Sequence, residues 1–398
     1  MRGHIPALDG LRGLAILLVL VQHAYVPPGE GLVDRFVRFW MDSGWLGVDL
    51  FFVLSGFLIS GLLLDARAKP GYFRNFYARR VLRIFPVYYL VLAFMFLVAP
   101  RLGNWVHTEG IGGTAVWYVA YLANVHAALR GPTFTALGPT WSLAVEEQFY
   151  LVWPLIVLLC NRRRLTLACI AIIVLAPLIR VGLLLGGMDL WGVYALTPAR
   201  MDGFALGAGL ALLARSERRL ASYARLGRTA VLLGGTGLVA LAVWQGSFRW
   251  DTVGMETAGF SLGALAFGGL LWLAIAPGRV AGWLQVPVLR SFGRYSYAIY
   301  LLQVPILEVL YRLMWGTDVW TRGSERLLFG SPVLSQLVFC VILATASWSA
   351  GWLSWHLLEQ HVLALKRFVP YARDGGQPAE PEVKPLAAVL APVPVRAN

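Results

Sequence analysis

Apolar runs long enough to cross a bilayer recur along this chain, and no other feature restricts its fold as strongly. Ten segments qualify, at about 11–27, 45–64, 84–99, 141–160, 166–186, 193–213, 229–246, 255–276, 295–314 and 332–357. A hydrocarbon core of ~30 Å is crossed by about 20 apolar residues in a helix. With no water inside the bilayer, each crossing must satisfy its own backbone, which a helix does. The chain is therefore read as all-α, a polytopic membrane protein with ten transmembrane helices in contact with the lipid bilayer. Composition agrees, with 58% hydrophobic and only 14% charged residues among 398. The net charge of +13 would suggest nucleic acid in a soluble protein. Here Lys and Arg crowding into cytoplasmic loops accounts for it, and no nucleic-acid partner is expected.

Loop charge sets the expected topology. The 65–83 loop carries Arg67, Lys69, Arg74, Arg79, Arg80 and Arg83 against Asp65 alone, which puts it and the N-terminus in the cytoplasm. An eleventh apolar segment, 114–130, is shorter and more polar. If it spanned, the Arg162-Arg163-Arg164 triplet and the cations from Arg215 to Arg228 would fall outside. The charge bias therefore keeps it in the interface, within one long outer segment at 100–140, and leaves both termini inside. The first 24 residues read as a retained helix, because His23 closes the apolar run and no A-x-A-like cleavage site follows. Residues 1–360 form the expected membrane domain, and 361–398 a Pro/Ala/Val-rich cytoplasmic tail expected to be disordered. Cys160, Cys169 and Cys340 have neither metal-ligand nor disulfide spacing, and no metal site is expected. There is no internal repeat.

Within this frame the ionisable residues in apolar segments stand out. A charge in hydrocarbon costs roughly 2.5–3.5 kcal/mol even on insertion scales, so such residues face the bundle or a wet cavity and pair there. Arg12 and His23 are eleven residues apart, roughly three turns plus 20°, on one helix face and about 16 Å apart along the axis. Counting from the expected span ends, His23, Asp49 and Glu146 come to similar depth, about 6–8 Å below the outer surface. Arg200 and Asp202 come out deeper. A His beside a carboxylate is the usual general-base arrangement, so His23 is the expected base, with Glu146 or Asp49 orienting it. The alternative is that these groups only pair to hold helices together. At the inner side, Arg80 and Arg83 lie one turn apart near Arg12, a geometry suited to a phosphorylated ligand. The positive-inside bias equally accounts for any one of them. Trp141 and Ser142 open the fourth span beside Glu146, where they line an acceptor path or, for Trp141, anchor the interface. Gly203, Gly207 and Gly209 read as helix-packing residues.

Six blocks in order resemble the membrane-bound acyltransferase 3 family: ALDGLRGLAILLVLVQH at 7–23, GVDLFFVLSGFLIS at 47–60, RRVLRIFPVYYL at 79–90, TWSLAVEEQFYLVWPL at 140–155, ARMDGFALGAGLA at 199–211 and FGRYSYAIYLLQVPI at 292–306. The resemblance covers about residues 5–360. It implies a bacterial inner-membrane enzyme that O-acylates cell-surface glycans or related acceptors. Acyl-CoA would be a co-substrate rather than a permanently bound cofactor, reaching the site from the cytoplasm. A carbohydrate-type acceptor would be presented from the other side. It further implies essential roles for Arg12, His23 and Glu146, and donor contact by Arg80 and Arg83. In the last block, relatives often carry a His where this chain has Gln303, which hydrogen-bonds but does not shuttle protons near neutral pH. Some relatives append a soluble hydrolase-like domain, and the stretch after residue 357 is too short for one. The expected chemistry is attack of an acceptor hydroxyl on the thioester with His23 as base, or transfer through an acyl-imidazole. The competing expectations are a non-enzymatic transporter or lipid exporter, and a glycosyltransferase using a lipid-phosphate sugar.

Overall fold

The computed structural model describes residues 5–24, 31–108, 112–131, 135–216, 224–316, 319 and 331–369. Among these there is no strand. Ten long helices carry the fold: α1 (Pro6–His23), α2 (Leu46–Ala66), α3 (Tyr72–Ala93), α4 (Thr140–Leu159), α5 (Arg162–Leu185), α6 (Thr197–Leu213), α7 (Ala224–Gln245), α8 (Phe260–Ile275), α9 (Pro287–Trp315) and α10 (Pro332–Ser354). Nine helical runs among the described residues are long and apolar enough to cross a membrane. The exception is α6, at 17 residues, which is buried between its neighbours and preceded by the short helix Leu190–Ala195. Outward faces are aliphatic: Leu167, Ile170, Val174 and Leu178 make an exposed stripe along α5. That spacing is one helix face, and so large an apolar surface is stable only against lipid.

Inside, close approach of backbones builds two tight interfaces. A Cβ at Gly13 of α1 would lie 1.9 Å from the Leu289 carbonyl oxygen of α9, and one at Gly293 would lie 1.8 Å from that of Asp9. Likewise Gly56 of α2 meets the Phe204 carbonyl of α6, and Gly207 of α6 meets that of Val53, each at 2.1 Å. Helices in a bilayer gain association energy chiefly from such packing. Of the three glycines expected to pack, Gly207 is therefore critical, whereas Gly203 and Gly209 have ordinary clearance.

Side chains at the helix ends sort the molecule into two poles. At one, Arg215 holds Asp65 bidentately at 2.7 Å, Arg67 donates to the Leu158 carbonyl, Arg162 to that of Leu212 and Arg79 to that of Val369. At the opposite pole, Trp45 donates to the Phe248 carbonyl and Asn124 to that of Ala195. His23 closes α1 there. Residues 115–130 form two short helices, Ala115–Val119 and Ala123–Arg130, separated by a turn in which Tyr121 has φ 54°, so this segment does not span. Of the tail expected from residue 361, the chain stays helical through Gln360–Ala364 and Leu365–Phe368. The remainder lies outside the described residues.

One boundary differs in a way that affects function. The 65–83 stretch is not a loop, because α3 begins at Tyr72, immediately after Gly71 with φ 72°. Arg79, Arg80 and Arg83 thus stand two to three turns inside a helix. Hydropathy alone started this span at 84 because charged first turns lower the window average.

Candidate functional site: two chambers across the bundle

Two cavities lie between α1, α2, α4 and α9. The first, of about 120 Å³, is lined by Arg12 of α1, Arg80 and Arg83 of α3, and Glu146, Glu147 and Tyr150 of α4, with Ser55 and Ser142 beside them. One turn separates Arg80 from Arg83, so both reach the same wall. The Arg80 guanidinium lies over the rings of Tyr150 and Phe76, at 5.7 and 5.9 Å, and its Nε is buried without a hydrogen-bond partner. Arg12 has a long contact of 3.4 Å to Asp9. Glu359, buried in the π-helical turn after α10, offsets part of the Arg83 charge. Three guanidinium groups converging with so little pairing make a strong anion-binding wall.

Glu146 belongs to this chamber. Its Oε1 accepts the hydroxyls of both Ser55 and Tyr150, which lie 3.0 Å from each other. The expectation that Glu146 orients His23 is thereby corrected. His23 is the last residue of α1, whereas Glu146 is six residues into α4, roughly 9 Å along the axis. At that level the carboxylate meets hydroxyls and cations, which a buried anion needs.

The second cavity, of about 590 Å³, holds His23. Its walls carry Trp45, Trp141, Trp191, Tyr194, Trp250 and Arg249. The imidazole Nδ1 lies 2.8 Å from the Val19 carbonyl oxygen. A carbonyl only accepts, so Nδ1 is the donor, and in the neutral ring Nε2 keeps its lone pair. This is the base-competent tautomer, set by the preceding turn of α1 rather than by a carboxylate.

Asp49 is likewise not beside His23. It forms a buried ion pair with Arg200, whose guanidinium sits 3.6 Å from the Phe260 ring centroid and 5.0 Å from that of Tyr194. Asp202 pairs with Arg180 at 3.0 Å, and Ser261 also donates to Asp202 at 2.6 Å. In a low-dielectric interior, opposite charges find each other before they find a neutral imidazole. Arg200 and Asp202 thus brace helices behind the His23 chamber. Trp141 lines that chamber, and Ser142 lines the arginine chamber. Gln303 is fully buried, with Nε2 3.4 Å from the Tyr300 carbonyl.

Two residues, Val48 and Tyr300, line both cavities. Sequence reasoning missed Tyr300, whose hydroxyl lies 2.5 Å from Ser142 Oγ and donates to the Pro139 carbonyl at 3.0 Å. It also missed Tyr150, Trp191 and Trp250, which carry no sequence signal beyond their residue type. Glu147, Arg180 and the fully buried Glu256 did carry one, a charge within an apolar run. Among the described residues no group of three or more His, Cys, Asp or Glu side chains converges as metal ligands would.

Fold and site together define a helical membrane protein with a cationic chamber and a histidine chamber that meet inside the bundle. A family model described as an acyltransferase domain, that of acyltransferase family 3, matches residues 5–352, and the chain belongs to that family. It is 28% identical over 388 residues to a putative peptidoglycan O-acetyltransferase, YrhL, of Bacillus subtilis, across 90% of this chain and 55% of the relative. Similar identity, 28% over 325 residues, links it to the O-acetyltransferase OatA of Staphylococcus aureus, across 76% of this chain and 51% of that one. The peptidoglycan O-acetyltransferase OatA of Listeria monocytogenes is also 28% identical, over 336 residues, covering 77% and 50%. The chain spans about half the length of these curated relatives. No solved structure matches it.

Proposed function

We propose that this chain is a membrane-embedded O-acetyltransferase that moves an acetyl group from acyl-CoA to a hydroxyl of a cell-envelope glycan. The observation that carries the reading is the meeting of the two chambers at Val48 and Tyr300. Arg12, Arg80 and Arg83 stand on one side and His23 on the other. The relatives' names support a glycan acceptor, peptidoglycan among the possibilities. The cation-rich helix ends support an orientation with the arginine chamber facing the cytoplasm.

In this mechanism the donor phosphates bind the three arginines through charge-assisted hydrogen bonds. The thioester arm crosses the ~16 Å that separate Arg12 from His23. The acceptor hydroxyl oxygen attacks the thioester carbonyl while His23 Nε2 takes its proton. The C–S bond then breaks, the sulfur leaves as thiolate, and the imidazolium returns the proton to it, giving free CoA. Glu146, bonded to Ser55 and Tyr150, stiffens the donor wall and balances its positive charge.

The test is acetyl transfer from radiolabelled acetyl-CoA to cell-envelope glycans by purified wild type and His23→Ala. Labelled glycan from wild type alone is expected. Equal labelling by both would remove His23 from the chemistry. An acetyl group trapped on His23 would replace direct attack by the two-step route.

A further inference from the structure

Several cations at the arginine-rich pole have an evident partner: Arg67 and Arg162 donate to carbonyls, and Arg215 holds Asp65. Lys366 is placed otherwise. It lies in the short turn Leu365–Phe368, about two turns beyond Glu359 on the helical run that continues α10. It is half-buried, and among the described residues no carboxylate lies within ion-pair distance of its ammonium. The charged groups that act on it are Arg83, Arg80 and Arg79, all cations. Its backbone is pinned beside them: Arg79 Nε donates to the Val369 carbonyl at 3.0 Å, and the Val369 amide donates to that of Lys366 at 3.1 Å. Arg83 in turn feels Arg12 and Arg80, offset in part by Glu359. A file of cations therefore runs from Arg12 through Arg83 to Lys366, which stands outside the chamber that Arg12, Arg80 and Arg83 line. Like charges gathered in a half-buried place repel, the more so where water is thinned. Positive-inside bias brings cations to one pole but does not turn them onto one another. An anion that carries charge at more than one point stabilises such a file.

We infer that Lys366 is a donor-specificity residue: it takes the ribose 3′-phosphate of acyl-CoA at the mouth of the chamber in which Arg12, Arg80 and Arg83 take the diphosphate. This rests on the acyl-transfer reading for the identity of the donor. Which phosphate goes where follows from the order of groups along CoA: thioester, pantetheine arm, diphosphate, then the adenosine with its 3′-phosphate. With the thioester directed at His23 and the diphosphate at the chamber's arginines, the nucleotide end projects away from His23, out toward Lys366. A phosphate monoester carries about −1.5 to −2 charges at pH 7. A compact ammonium on a flexible stem meets it as a point charge, without the fixed fork that an arginine needs.

The experiment is equilibrium dialysis of the purified full chain, without acceptor, against acetyl-CoA and acetyl-3′-dephospho-CoA, which differ only in that phosphate. Wild type is expected to bind acetyl-CoA roughly tenfold more tightly. Lys366→Ala is expected to lose the preference, binding acetyl-CoA about tenfold more weakly and the dephospho donor as wild type does, which a folding defect would not allow. Lys366→Arg should restore most of the preference. Equal binding of the two donors by wild type, or a Lys366→Ala variant that weakens both alike or neither, overturns the assignment. A lipid headgroup is the other source of a phosphate. Phosphatidylglycerol retained by wild type and lost from Lys366→Ala, with the donor preference intact, would give the ammonium to the bilayer and overturn the assignment as well. The two readings fail separately. Acetyl transfer by wild type from both donors with equal KM keeps the transferase and removes the role of Lys366. Wild type that binds neither donor removes the donor site itself, and the role of Lys366 with it.

Discussion

The two chambers solve recognition in opposite ways. The arginine chamber is small and crowds Arg12, Arg80, Arg83, Glu146 and Glu147 among apolar side chains. The His23 chamber has about five times the volume, and Trp45, Trp141, Trp191, Tyr194, Trp250 and Tyr300 stand in its walls. Under the proposed function the donor carries a diphosphate and is the same in every turnover, which a tight cationic clamp would suit. The glycan acceptor proposed for the larger chamber is bulkier, and would need area with only a few polar contacts. The comparison also separates the ionisable residues. Arg180 and Arg215 each hold a carboxylate across a helix interface, Asp202 and Asp65, whereas the Arg80 guanidinium lies over the rings of Phe76 and Tyr150.

If the chambers divide the work, variants should divide in the same way. The largest effect is expected from His23→Ala: turnover falls roughly 10²–10⁴-fold, while dialysis finds acetyl-CoA bound as tightly as before. A donor-binding defect in that variant would break the division. Next comes Asp49→Ala, which strands Arg200 as an uncompensated buried charge at a cost of about 3–5 kcal/mol. Thermal unfolding in detergent should drop accordingly. The kcat–pH profile of the surviving enzyme should match wild type, and a displaced profile would return Asp49 to the service of His23. Arg83→Ala removes charge-assisted contacts of roughly 1.5–3 kcal/mol. The donor KM should rise about ten- to a hundredfold, with the gap to wild type narrowing at high salt as screening weakens the contact in both, and with the acceptor KM unmoved. The smallest effect is expected at the shared wall. Tyr300→Phe loses hydrogen bonds to Ser142 and Pro139, and kcat should fall roughly two- to tenfold with both KM values constant. A shift in only one of them would assign Tyr300 to a single chamber.

Much of the architecture was legible before any coordinates. The described residues of the ten apolar segments are helical almost throughout, because a bilayer leaves the backbone few other choices. The Arg12–His23 spacing on one helix face placed one residue in each chamber, since helix periodicity within one segment is a local property. Arg80 and Arg83 were paired correctly for the same reason, although their helix starts about twelve residues earlier than hydropathy indicated. The errors concern partners between helices. Equal depth along three spans suggested that His23, Asp49 and Glu146 meet, but depth does not say which way a side chain points. Glu146 turned to Ser55 and Tyr150, and Asp49 to Arg200.

What the chain determined by itself is therefore what acts along one helix or against the solvent: the membrane class, the helical segments, the clustering of cations at one pole, and the registration of Arg12 with His23. Tertiary structure alone decided which carboxylate faces which cation, and that Trp141, the Trp191–Tyr194 helix and Trp250, far apart in sequence, bring their rings together. The physical reason is that buried electrostatics and stacking act over a few ångströms between helices, and single-chain periodicity carries no information about the relative rotation of two helices.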